Sequence, residues 1–113
     1  MHKQKEMQNI VITFTNKCKA FFGNKLFDVL LYGSYARGDY NENSDIDVMI
    51  ILDMDDFEAK KCLEKVCEMA FETDAECDVL LSPIVQSKYV FDKYKDFPGF
   101  YYNVIREGVS MVV

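Results

Sequence analysis

The chain has 113 residues, half of them hydrophobic, which sets the expectation of one domain over residues 1–113 with a real core and argues against disorder. Its net charge of −6 disfavours a broad nucleic-acid footprint. No apolar run approaches the ~18 residues of a membrane span.

In chain order, Met1 to Glu6 leads into no long apolar stretch before charges return, so no signal peptide is expected and the cytoplasm is the expected location. Met7, Ile10, Val11, Phe14, Cys18, Phe21 and Phe22 recur at helical spacing, which predicts a helix over 4–22 that ends near Gly23-Asn24. Leu26 to Tyr32 is a near-continuous apolar run and reads as a buried strand ending at Gly33. Ile46 to Leu52 reads as a second strand, with Asp45, Asp47, Met49 and Ile51 on one face and Ile46, Val48, Ile50 and Leu52 on the other. Ala59, Cys62, Leu63, Val66, Cys67 and Ala70 form an amphipathic pattern, predicting a helix over 56–72 capped by Asp55 or Asp56. Glu76 to Leu81 reads as a third strand, stopped by Ser82-Pro83. Further helices are expected near 84–94 and from Pro98 to Glu107, the latter closed by Gly108. A small sheet flanked by helices, of α/β or α+β class, follows from this order.

The cysteines, Cys18, Cys62, Cys67 and Cys77, form no CxxC pair, and His2 is the single histidine, so the usual spacing of a zinc site is missing. Cys62 and Cys67 fall on the apolar face of their helix and read as reduced core thiols. Charge is unevenly spread. Residues 1–37 carry +4, residues 38–78 carry −11 and residues 79–113 carry +1. Acids at strand positions need a reason, because an unpaired buried carboxylate is costly.

The segment from residue 33, Gly-Ser-Tyr-Ala-Arg-Gly-Asp-Tyr-Asn-Glu-Asn-Ser-Asp-Ile-Asp, offers one. Gly33 permits a sharp turn and close approach of a ligand to the backbone. Ser34 brings a hydroxyl, and backbone N–H groups at the start of a short helical turn make an anion site suited to phosphate. No Gly-Lys-Ser/Thr follows, so this is not a Walker loop. Asp45 and Asp47, spaced i, i+2 on a strand, leave the same face and can reach one hard cation such as Mg²⁺, which takes oxygen ligands including substrate phosphates. A two-metal site wants a third carboxylate; Asp78 is the candidate, with Glu76 in reserve. Arg37 either touches phosphate or braces the loop against Asp39 or Glu42. Tyr35 and Tyr40 read as loop packing or as neighbours of a nucleotide base. Phe97, Phe100, Tyr101 and Tyr102 are either core or a partner surface.

The Gly-Ser, the spacer of ten, the Ala-Arg-Gly inside it and the Ser-Asp-Ile-Asp resemble the nucleotidyltransferase fold of the DNA polymerase beta superfamily, and in particular its short branch, the minimal nucleotidyltransferases (MNT). Glu-Cys-Asp-Val-Leu-Leu-Ser at 76–82 and the tail ending in Arg106-Glu107-Gly108 extend the resemblance over nearly the whole chain. It implies a small mixed sheet flanked by helices. Gly33 and Ser34 would hold the phosphates of ATP, Asp45 and Asp47 would bind Mg²⁺, as a pair of ions, and Asp78 would complete the metal site and help deprotonate the attacking hydroxyl. It also implies a toxin–antitoxin module in which this chain is the antitoxin. AMP would pass to a hydroxyl, typically a tyrosine, of a HEPN-domain ribonuclease toxin. Two other readings differ in kind: a non-catalytic binding module that neutralises its partner by covering it, and a small-molecule nucleotidyltransferase working with a separate helical subunit.

Overall fold

In the computed structural model, which describes residues 4–41 and 44–112, Met7, Val11, Phe14 and Cys18 lie along one side of helix α1 (Gln4–Phe22) and are at most 2% exposed. Steps of four, three and four residues keep them on one stripe. Gly23, at φ 57°, lies where a Cβ would be strained, and a short 3-10 turn over Gly23–Lys25 leads into strand β1 (Leu26–Tyr32). The four-residue helix α2 (Ser34–Arg37) follows, then strand β2 (Ile46–Leu52). The bounds expected for α1, β1 and β2 are those observed. His2 lies outside the described residues.

The remaining elements are α3 (Asp56–Lys61), α4 (Leu63–Cys77), β3 (Leu81–Ser87), α5 (Lys88–Tyr94), α6 (Phe100–Glu107) and β4 (Val109–Ser110). The sheet has the order β3-β2-β1-β4. Strand β1 runs antiparallel to both β2 and β4, while β2 and β3 are parallel. This is the expected mixed α/β sheet with helices on both sides. One face of β2, with Ile46, Val48, Ile50 and Leu52, packs against Val11 and Phe14 of α1 and Val66, Met69 and Ala70 of α4. The other face carries Met49 and Ile51, which join Leu30, Tyr32, Phe91 of α5 and Val104 of α6 in a smaller cluster. Burying a large apolar side chain of this kind contributes about 1.5–3 kcal/mol. No helix among the described residues is long and apolar enough to cross a membrane.

The second half departs from expectation in several places; the last helix, expected from Pro98, begins at Phe100 with Gly99 as its cap. The helix expected over 56–72 is two helices, broken at Cys62, and its second part runs on to Cys77. Asp55 caps the first through its side chain, which accepts from the Glu58 N–H. The break turns the stripe, so Val66, Met69, Ala70 and Thr73 are buried while Leu63 and Cys67 are exposed. Cys67 is therefore not a core thiol, and Cys62 is only partly covered; Cys18 is the buried one. The third strand begins at Leu81, and Ser82-Pro83, expected to stop it, lies inside it. Strand β3 is at the sheet edge, where a proline's missing N–H is tolerated. Residues 84–87 consequently belong to this strand, and the helix expected near 84–94 shrinks to α5.

Candidate active site

Tyr32 is paired across the β1–β2 ladder with Asp47, so the first residue after β1 lies beside that carboxylate. This residue is Gly33, at φ 76° and ψ −154°. A Cβ there would collide with Oδ2 of Asp47 and lie 3.1 Å from its Cγ. Glycine is thus required twice, by the backbone angle and by the side chain over it. The turn continues into α2, where the Arg37 N–H donates to the Gly33 carbonyl at 3.0 Å and the Gly38 and Asp39 N–H groups donate to the Ser34 carbonyl. A helix start leaves its first amides without intrahelical acceptors, and α2 presents that start at Ser34, next to Gly33.

Asp45 stands just ahead of β2 and is exposed; Asp47 is half-buried. Burial is the largest cause raising the Asp47 carboxyl above its ordinary value, the neighbouring Asp45 charge adds to it, and Arg37 opposes it. Two carboxylates this close repel one another and would gain from a cation between them, and their donors are the hard oxygens that Mg²⁺ takes. One or two protein carboxylates plus substrate phosphates are a usual shell for that ion, so the residues present fit it. Among the described residues no three Asp, Glu, His or Cys side chains already converge into a metal cluster.

Asp78 does not project from a strand as expected. It is the left-handed cap of α4, at φ 55°, and is exposed. Because β2 and β3 are parallel, with Ile46 opposite Leu81, Asp45 and Asp78 nevertheless stand at the same end of neighbouring strands. Asp74, which sequence reasoning missed, sits one turn earlier. Its Oδ1 accepts from the Leu81 N–H at 2.9 Å, and its carboxyl is raised by burial and by the charge of Asp45, against the pull of that hydrogen bond. Glu76, the reserve, is ion-paired instead to Lys17 at 2.9 Å.

A cavity of about 300 Å³ opens between β1, α2 and β2 on one side and α6 on the other. Tyr32, Gly33, Arg37 and Asp47 form one side; Phe100, Asn103, Val104 and Glu107 form the other. The second wall is also new. Its residues are spaced i, i+3, i+4 and i+7, a helical face that the sequence displayed, but nothing local said what it faces. Arg37 donates from Nε to Asp39 at 3.2 Å and from Nη1 to Glu107 at 3.0 Å. Bracing against Asp39 is thus observed, while Glu42 lies outside the described residues. Tyr35 and Tyr40 stack on each other with centroids 4.2 Å apart, and Tyr35 is buried, so this pair packs the loop. Tyr32, edge-on to Phe100, has its phenol pushed up to about 12 by burial and by Asp47, so it stays protonated.

Residues 11–105 match the family model described as nucleotidyltransferase domain. A Methanocaldococcus jannaschii protein provisionally named a protein adenylyltransferase is 34% identical over 95 residues, covering 84% of this chain and 87% of its own. Among solved structures, a provisionally named nucleotidyltransferase from Sulfolobus solfataricus superposes with a TM-score of 0.59 at 21% identity, covering 95% of this chain and 80% of that one. A mutant of the toxin–antitoxin MntA-HpeT superposes with a TM-score of 0.54 at 16% identity, covering 92% of this chain and 71% of that one.

Proposed function

The chain belongs to the nucleotidyltransferase-domain family, and we propose that it transfers AMP from ATP to a protein hydroxyl. The observation that carries this reading is the close approach of Asp47 to the Gly33 backbone, with Asp45 two residues away at the head of the same strand. It brings the Asp47 carboxylate to a glycine turn at the wall of a cavity. The name of the Methanocaldococcus relative supports a protein acceptor, and the toxin–antitoxin neighbour supports a toxin as that acceptor. The finer assignment, a tyrosine of a HEPN-domain toxin silenced by the modification, rests on the MNT resemblance.

In this proposal Gly33 and Ser34 receive the phosphates, and Arg37 adds a fixed positive charge beside them. Asp45 and Asp47 would hold Mg²⁺. When bound, the ion offsets charge building up on the phosphoryl oxygens. The acceptor oxygen attacks the α-phosphorus, the bond to the β-phosphate oxygen breaks, and pyrophosphate leaves. The hydroxyl proton passes to Asp78, the third acid, at the strand end it shares with Asp45. Supply of ATP and four unpaired thiols suit the cytoplasm.

Incubation with Mg²⁺, ATP and the HEPN protein, followed by intact-mass spectrometry, should show a partner heavier by one adenylyl group. Wild-type protein that leaves the partner unmodified, or an adduct undiminished in Asp47→Asn, would sink the proposal. Toxin neutralisation by Asp45→Ala/Asp47→Ala as complete as by wild type would instead favour a binding module.

A further inference from the structure

Two segments far apart in sequence meet at the cavity mouth. Arg37 ends α2, and Glu107 ends α6, 70 residues later, yet their side chains are bonded at 3.0 Å. Glu107 is held from behind. The Gly108 N–H closes α6 on the Val104 carbonyl at 2.7 Å, and a Cβ at Gly108 would collide with that carbonyl. The next residues, Val109 and Ser110, pair with Leu31 and Leu30 of β1. Strand β1 also delivers Gly33 and α2. The loop bearing Arg37 and the helix end bearing Glu107 thus hang from one strand, which fixes their separation.

Asp39, two residues from Arg37, would draw the guanidinium out along the loop if it were the sole partner. Glu107 binds a different nitrogen and draws it across the cavity. A guanidinium has five N–H donors, and these two contacts use one at Nε and one at Nη1, leaving others for a ligand. We propose that Glu107 is a positioning residue: it holds Arg37 over the cavity so that the remaining donors take the phosphates of an incoming nucleoside triphosphate. This deepens the reading above and depends on it.

The test measures binding of ATP and of adenosine, each with Mg²⁺ and without any acceptor, to wild type, Glu107→Ala and Glu107→Asp. Loss of positioning should weaken ATP about tenfold in Glu107→Ala, the scale of one charge-assisted contact, and leave adenosine unchanged. Glu107→Asp should recover part of the loss. The melting temperature should hardly move, since exposed ion pairs add little stability. Equal weakening of ATP and adenosine would mean general damage to the cavity and would overturn the inference. Unchanged or tighter ATP binding in Glu107→Ala would overturn it too, the latter by making Glu107 a competitor for Arg37. Wild type that binds no ATP would overturn the functional reading as well; wild type that binds while Glu107→Ala matches it overturns only this inference.

Discussion

Asp47 carries opposite demands. Burial and Asp45 raise its carboxyl, so its charged form costs more in the fold than in the unfolded chain. The sign for stability follows. Above the ordinary carboxylate range its charge opposes folding, and that penalty lifts as pH falls through the raised value. Asp47→Asn should therefore melt no lower than wild type at neutral pH while losing nearly all transfer, as differential scanning and the adenylylation assay would show. Adding Mg²⁺ and ATP should raise the melting temperature of wild type but not of Asp47→Asn, because a ligand stabilises only the state that binds it. Gly33→Ala should be destabilised by about 1–3 kcal/mol, measurable by urea unfolding, because a side chain is strained at its φ and meets Asp47. Spacing alone put both aspartates on one face of a strand. Their contact with Gly33 was not legible, since it depends on the register that sets Tyr32 opposite Asp47. The thiols show the same division. Burial pushes Cys18 up to about 12, so it adds stability that is full below pH 9.0 and lost on rising toward about 12. Cys18→Ala should flatten the fall of unfolding free energy over that alkaline range.

The junction between α4 and β3 is where element-level reasoning went astray. Glu-Cys-Asp-Val-Leu-Leu is apolar enough for a strand, yet its first residues continue a helix and Asp78 turns the chain in a left-handed cap. Helix and strand periods are hard to separate in so short a run. Tertiary contact decides: Asp74 ties the helix end to the Leu81 N–H, and Leu80 accepts from the Ile46 N–H, setting where pairing with β2 begins. Asp74→Ala should leave the Leu81 N–H without that acceptor and lower stability by about 1–3 kcal/mol in denaturant titration. Asp74→Asn keeps an acceptor oxygen and should retain both stability and transfer. Asp78→Asn should instead keep stability and lose transfer; the reverse pattern would move the third acid to Asp74. The break at Cys62 was hidden for a related reason. Both halves have helical composition, and only packing of Val66, Met69 and Ala70 against the sheet shows that the stripe has turned.

At the scale of the molecule, the sheet separates two layers with different duties. Helices α1 and α4 close the larger core, while α5 and α6 cover the face of β2 that bears Asp47, Met49 and Ile51. Helix α6 therefore does two things at once: Val104 seals the smaller cluster, and Phe100, Asn103 and Glu107 wall the cavity. Phe14→Ala, in the larger core, should lower stability by about 3–5 kcal/mol. This is a large share of the roughly 5–15 kcal/mol expected for a small domain, and ATP binding should fail with unfolding rather than before it. By itself the sequence determined α1, β1 and β2 and the α/β class, because these follow from period and glycine within short spans; the proposal of phosphate and metal binding at residues 33–47 starts from the same local pattern. Only the tertiary structure decided that Asp47 covers Gly33, that Asp78 caps a helix, and that Glu107 reaches Arg37. Each depends on strand register or on elements far apart in the chain, and no local pattern encodes a distance across the fold.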